Sequence, residues 1–377
     1  MESFDVAVVG MGALGSAAAY HLTRRGARTV AFEQYELGHV RGASHDTSRI
    51  VRTSYGAAEY VRFAQAAMRD WDDLEAESGE RLRTTTGGVV FFPKGSPYAA
   101  ADFTTALTEC GVPHELLASS EVRRRWPAFR LPDDVLTVYT PDSGIVHAAR
   151  TVATLQLRAR ALGADIRDRT EVRSLLPDGD GVIVRSSRGD VRARRVIVAA
   201  DAWTNALLEP IGRTIPLEIM QEQVTYFLPA EPARYDPERF PVWIWEDEEC
   251  YYGFPTYGEP TIKAARDVSA NLMTPQTRTF APSPELTAQL SRFVAGLIPG
   301  ANKGLRTVTC QYALTPDRRF VLAPLPEHPQ IIVALTAGHG FKFTPVIGRV
   351  LAELALDGQS QEDLSAFGMP HPVSDRA

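Results

Sequence analysis

Three glycines and one acid give the N-terminus a chemistry. The run Asp5-Val-Ala-Val-Val-Gly10-Met-Gly12-Ala-Leu-Gly15 is followed by a small-residue helix and then by Thr29-Val-Ala-Phe-Glu33. Gly10 permits a tight turn, Gly12 lets backbone approach a pyrophosphate, and Gly15 lets the next helix pack close to a sheet. That helix, from about Ala13 to Arg25, turns its free N–H groups and positive dipole end toward the phosphates. Glu33 stands 18 residues past Gly15, where an acid accepts hydrogen bonds from ribose hydroxyls and disfavours a 2′-phosphate. The pattern predicts a dinucleotide site that disfavours NADP. The bland alternative is a structural βαβ unit with an empty crevice.

A second group lies about 300 residues later: Cys310 at the end of a strand, then Gly338-His339-Gly340-Phe341-Lys342 opening a helix. A thiolate is a nucleophile, and cationic neighbours favour it; the residue type alone equally allows a plain buried thiol. Lys342, just inside the helix start, lies among N–H groups that can bond carbonyl oxygens. Lys263 sits on a strand beside Ile262, Ala264 and Ala265, an odd place for a charge unless it faces a site. Its alternative is a solvated edge-strand lysine. Trp243 and Trp245 add aromatic bulk, and core packing explains them as well as a site does.

Two domains are the expectation for 377 residues, which exceed one ordinary core. The net charge of −6, with arginines scattered, argues against a nucleic-acid surface. No stretch reaches the ~20 apolar residues that span a bilayer. Glu2 before the apolar run, and the glycines within it, argue against a signal peptide. Cys110, Cys250 and Cys310 are the three cysteines. They have no metal-ligand spacing, so no metal and a reducing cytoplasm are expected. No internal repeat is found, and Pro370 to Ala377 reads as a polar tail.

The elements that must position these residues are interleaved. Residues 4–9 read as a strand buried on both faces. An amphipathic helix runs from about Ala57 to Glu77, with Tyr60, Phe63, Ala67 and Trp71 at helical spacing. The texture then changes to a strand at 86–93, a helix at 96–110, a short capped helix at 120–126 and a strand at 136–140. A helix from His147 to Gly163 returns, with strands to Ala199. Residues 215–309 are strand-rich and aromatic, broken by one helix at 283–297. The fold class expected is α/β (α+β, two domains). A discontinuous Rossmann-like FAD-binding domain (1–85, 147–214 and 316–377) carries an inserted antiparallel or mixed β-sheet substrate domain (86–146 and 215–315).

With Ser44-His45…Ser48-Arg49-Ile-Val-Arg52, Tyr251-Tyr-Gly-Phe-Pro255 followed by Lys263, Cys310-Gln-Tyr312 and Gly338-His-Gly-Phe-Lys342-Phe in this order, the chain resembles the D-amino-acid-oxidase superfamily of flavoproteins. Within it, the likeness is to monomeric sarcosine oxidase and N-methyltryptophan oxidase, over essentially the whole length. The resemblance implies FAD, bonded through its 8α-methyl to Cys310, with Gly10, Gly12, Gly15, Glu33, Ser44, Val172, Gly338, Gly340, Phe341 and Lys342 holding the cofactor. Arg52 and Lys342 match a pair that clamps the substrate carboxylate. Tyr252 and Tyr312 match aromatics on the substrate side. His45 and Arg49 match residues near the flavin ring, and Lys263 one that helps O2 react. The activity implied is oxidation of an N-substituted or cyclic amino acid to an imine with release of hydrogen peroxide, by a monomer.

Two departures stand out. Asp267 replaces a substrate-contacting histidine, so a carboxylate there can pair with a cationic group on a substrate other than sarcosine. Asp201 replaces the glycine usual before Ala202-Trp203. Three other readings stay open on the residues: a flavin dehydrogenase with a non-oxygen acceptor, an NAD-dependent oxidoreductase, and a catalytically silent flavin-binding protein.

Overall fold

The computed structural model of the chain describes residues 1–301 and 303–370. The polar tail read from the sequence therefore lies, from residue 371 onward, outside the described residues. Among these, the strands form two sheets of eight and one of three.

The first sheet is built around strand Glu2–Val9, whose residues Val6, Ala7 and Val8 are wholly buried. It pairs in parallel with Thr29–Phe32 on one side and Val191–Val198 on the other. Asp165–Arg167 extends the sheet beyond Thr29–Phe32, and His328–Leu335 lies beyond Val191–Val198, both in parallel. Strands buried on both faces need helices above and below. Helix Ala13–Arg24 supplies one, packed between helices Ala148–Ala161 and Thr344–Asp357. Its approach needs Gly15, because a Cβ there would stand 1.8 Å from the carbonyl oxygen of Gly10.

The second sheet runs in spatial order Lys303–Leu314, Glu218–Leu228, Ile262–Asp267, Cys250–Phe254, Val242–Trp245, Gly88–Phe92, Leu136–Thr140 and Glu115–Ala118. Its pairs are antiparallel except Val242–Trp245 with Gly88–Phe92. Strand Ile262–Asp267 is interior, so Lys263 is 3 % exposed and is not an edge residue. The third sheet, Ser48–Val51, Gly144–His147 and Arg83–Thr85, joins segments on both sides of the domain boundary drawn from the sequence.

Several local readings change. Cys310 lies within the long strand Lys303–Leu314 rather than at its end, because the antiparallel ladder with Glu218–Leu228 continues to Leu314. Helix Ser119–Arg125 begins after Ala118 with no side-chain cap; the Ser119 hydroxyl donates instead to the Val135 carbonyl. Lys342 belongs to a single 3₁₀ turn, Phe341–Phe343, that precedes the last helix.

Helix Ala58–Ser78 ties the fold to that turn. Phe63, Ala67 and Trp71 are buried on its inner face, and the Trp71 indole N–H donates to the Lys342 carbonyl at 2.8 Å. Trp71→Phe keeps most of the packing and leaves that carbonyl without its donor, a loss of about 1–3 kcal/mol. The midpoint of urea unfolding should fall accordingly; an unchanged midpoint would show that the bond contributes nothing.

Candidate active site

One cavity of about 560 Å³ opens where the strands of the first sheet end and reaches the face of the second. At one end stand Gly10, Gly12, Glu33 and Ser44; at the other, Arg52, Tyr252, Asp267, Tyr312 and Lys342; His45, Arg49, Val172, Gly338, Gly340 and Phe341 also line it. Trp243 and Trp245 do not. Trp243 is fully buried with its indole over Gly253, and Trp245 packs on Phe91 and Phe293. Both are core aromatics, which corrects their assignment to substrate binding.

The first end has the form of an adenosine and pyrophosphate cradle. The Ser44 hydroxyl accepts from the Ala13 N–H at 2.9 Å, beside the start of helix Ala13–Arg24. The Glu33 carboxylate accepts from the Met11 N–H at 3.0 Å and the Tyr35 N–H at 3.1 Å, with His39 at 3.3 Å. Burial opposes its ionisation, but His39 and the two N–H groups outweigh it and hold the carboxyl below its usual range. Gln156, not singled out in the sequence, donates to the Met11 carbonyl at 2.9 Å and fixes the turn from behind.

Asp201 lines the same cavity with a φ of +47°. A left-handed position explains why glycine is usual there, since an aspartate tolerates it at a cost. Burial pushes its carboxyl up to about 6.

The far end is cationic. The Arg52 Nε and Nη1 are buried without a hydrogen-bond partner, and the nearest carboxylate, Glu246, is 3.8 Å away. The Arg52 guanidinium and the Lys342 ammonium lie 4.6 and 5.6 Å from the centre of the Tyr55 ring. Burial, then repulsion from Arg52, lowers Lys342 to about 7. Buried cationic donors without partners are costly, and an anion placed between them removes the cost. Gly338, at φ +77°, lies so close to Tyr312 that a Cβ would meet its ring at 2.5 Å.

Asp267 is already engaged. Arg318, another residue the sequence did not single out, donates to its two carboxylate oxygens at 2.9 and 3.4 Å. Burial raises the Asp267 pKa, but Arg318 outweighs it and the carboxyl is held low. Its charge is thus met within the protein.

Lys263 and Cys310 are not in the wall of the large cavity. Both line a small adjoining pocket of about 20 Å³ with His45, Arg49, Tyr252 and Tyr312. Burial pushes the Cys310 thiol up to about 11, although Arg49, Lys263 and Arg278 pull the other way. The expectation that cationic neighbours favour the thiolate is therefore half met: the cations are present, and burial outweighs them. Burial and Arg49 lower His45 to about 4, so it is neutral and the positive charge here is carried by other groups. The Arg49 guanidinium donates to the carbonyls of Ala43, His45 and Ser48, and so is held rigidly. Cys110 and Cys250 are free, and Cys250 also reaches the large cavity.

Residues 5–354 match the family of FAD dependent oxidoreductases. The chain belongs to that family. It is 33 % identical to a monomeric sarcosine oxidase of Bacillus sp. (strain B-0618), covering 98 % of this chain and 96 % of the other. It is 30 % identical to an N-methyl-L-tryptophan oxidase of Yersinia pestis, over 97 % and 98 %. Among solved structures, NikD, an amino acid oxidase of nikkomycin biosynthesis, superposes in its open form with a TM-score of 0.87 at 27 % identity, covering 98 % of both chains. The residues present fit the cofactor. The glycine turn, the helix start and Glu33 suit its ADP half, while orphaned polar atoms on the cavity wall, His45 Nε2 and Gln311 Oε1, await a partner.

The cationic end yields a pH dependence. A simple carboxylate that lacks an amine should bind more weakly as pH rises through about 7, where free Lys342 loses its proton and the attraction is lost. Titration of the cofactor spectrum with such a ligand from about pH 6 to 9 would measure this, and Lys342→Met should bind it weakly with no such trend. A wild-type affinity that is flat with pH would exclude Lys342 from the anion site.

Proposed function

We propose that this oxidoreductase is an amine oxidase that converts an N-methyl or cyclic amino acid to its imine and passes the electrons to O2, giving hydrogen peroxide. The observation that carries the reading is the single cavity, with a dinucleotide cradle at one end and the unpartnered donors of Arg52 beside Lys342 at the other. The activities for which the sarcosine and N-methyl-L-tryptophan oxidases are named suggest the substrate class. When bound, FAD supplies hydride acceptance from carbon and electron transfer to oxygen.

The residues of the chain bind and orient. Arg52 gives a planar, bidentate grip on the substrate carboxylate, and Lys342 adds a point charge. Tyr252 and Tyr312 wall the substrate end and exclude water. The reacting amine must be neutral, so the site selects its deprotonated form. No protein base is assigned. Arg49 supplies fixed positive charge near the cofactor, Cys310 is its covalent tether, and Lys263 stabilises the negative charge that develops as oxygen is reduced. In this reading the two large sheets are the cofactor and substrate domains, the protein is a monomer, and its three unpaired cysteines fit a reducing cytoplasm. No helix among the described residues is long and apolar enough to cross a membrane.

One observation favours a second reading, electron transfer to a carrier other than oxygen: all three Lys263 ammonium hydrogens are engaged by Asp46 and Ser48. Peroxide output decides between the two. Anaerobic addition of sarcosine, other N-methyl amino acids, proline or pipecolate should bleach the bound flavin for at least one of them, and air should restore the colour with stoichiometric peroxide. Restoration only by a quinone or dye would favour the carrier, and no bleaching by any would defeat the amine oxidase. Two variants test the parts. Cys310→Ser should release its flavin to the supernatant on acid denaturation, whereas wild type keeps it in the pellet. Lys263→Met should slow reoxidation by roughly a hundredfold while reduction changes little, the size expected for loss of one fixed charge.

A further inference from the structure

Lys263 does not stand alone in its pocket. Its ammonium donates to Asp46 Oδ2 at 2.7 Å, to the Ser48 carbonyl at 3.0 Å and to the Ser48 hydroxyl at 3.1 Å. The other Asp46 oxygen accepts from the Tyr226 hydroxyl at 2.6 Å. Tyr226 and Lys263 are opposite one another on paired antiparallel strands, so their side chains leave the sheet on one face and meet the carboxylate together. Asp46 comes from a different part of the fold, the segment that links the cradle residue Ser44 to strand Ser48–Val51. Its side chain is 11 % exposed and that of Lys263 4 %.

Asp46 has a φ of +78°, a conformation an aspartate adopts only at a cost. Its backbone is pinned there, with its carbonyl accepting the N–H of Ala149 at the start of helix Ala148–Ala161. We propose that Asp46 is the positioning residue for Lys263, fixing the ammonium beside Cys310 from across the sheet junction and keeping it charged. This rests on the oxygen role assigned to Lys263 above.

The electrostatic surroundings support the assignment. From the segment carrying Asp46, Arg49 repels the ammonium, and His45 is neutral. From strand Glu218–Leu228 comes Tyr226, with Arg306 of strand Lys303–Leu314 stacked on its ring. The same strand brings Cys310, and strand Cys250–Phe254 brings the ring of Phe254, 5.0 Å from the ammonium. His147, paired with Ser48, is held below its usual range by burial and is uncharged at neutral pH. Asp46 is the one carboxylate in salt-bridge range of Lys263 among the described residues. Burial and Arg49 bring Lys263 down to about 8 even with Asp46 present. Burial raises the Asp46 pKa, but the lysine and Tyr226 outweigh it and hold the carboxyl well below the usual carboxylate range. With the carboxylate removed, burial and Arg49 are left largely unopposed, and a lone buried ammonium neutralises.

The test uses the holoenzyme. Lys94, Lys263, Lys303 and Lys342 are the only four lysines in the sequence, so ¹³Cε-lysine labelling gives a spectrum in which Lys263 is assigned by its loss in Lys263→Met. Asp46→Asn preserves shape, and Asp46→Gly suits the left-handed backbone and is the variant of choice if the first fails to fold. The Lys263 titration midpoint should lie near 8 in wild type and lower by about one pH unit or more in both variants. Stopped-flow reoxidation of the reduced enzyme by O2 should follow it: about fivefold or more slower than wild type near pH 8, converging toward about pH 6. A Lys263 midpoint unchanged in both variants overturns the role of Asp46. If Lys263→Met reoxidises at the wild-type rate, the oxygen role of the lysine falls, and a lowered midpoint in the Asp46 variants still establishes that Asp46 keeps the ammonium charged.

Discussion

Strand Glu2–Val9 holds the architecture together through parallel pairing on both its edges. Parallel strands cannot be joined by a tight turn, so each neighbour must come from a distant part of the chain. The partners here are residues 29–32 and 191–198, with 331–333 next beyond. One consequence is functional. The carboxyl ends of these strands open on one crevice, so the turn at Gly10, the segment at Ala199–Asp201 and the loop at Thr336–Lys342 meet although they are far apart in sequence. That is where open α/β sheets bind their ligands. The second sheet then needs only to face this crevice to complete a site.

Charge governs what the completed site can do. Arg49, Arg52, Lys263 and Lys342 converge on the two adjoining cavities. Cations taken out of water are tolerated when each has a counter-charge or hydrogen bonds. Lys263 has both through Asp46 and Ser48, and Arg49 has backbone carbonyls. Of these four, Arg52 alone keeps buried donors unused, and it lines the far end of the large cavity with Lys342. The uneven pairing separates the roles: Lys263 and Arg49 are fixed parts of the framework, whereas Arg52, beside Lys342, keeps donors free, as the proposed carboxylate grip requires. Arg318 works in the same sense by taking up Asp267, so that this carboxylate does not neutralise Arg52 and Lys342.

The sequence made much of this legible where local rules suffice. The glycine turn, its helix and Glu33 act within one βαβ unit, so their spacing carried their geometry. The strands assigned to each expected domain fall into one large sheet or the other, because runs such as Val242–Trp245 and Leu136–Thr140 have strand composition whatever their neighbours. The third sheet was missed, since Ser48–Val51, Arg83–Thr85 and Gly144–His147 are three or four residues long and exist only by mutual pairing. The tryptophans were undecidable for a related reason. Successive strand residues face opposite sides, and only the packed sheet decides which side is cavity and which is core.

Taken alone, the sequence determined the α/β class, the glycine turn with Glu33 at the end of the next strand, the interleaved order of the two sheets and most, though not all, of the side chains that line the cavity. These follow from periodicity, glycine placement and motif order, which are local or linear properties of the chain. Tertiary structure alone decided how the charges are paired: Asp46 with Lys263, Arg318 with Asp267, and Arg52 with no close partner. The paired residues are 217 and 51 positions apart in the chain. No local rule reaches that far. Burial sets the strength of each interaction, and burial exists only once the sheets have closed over one another.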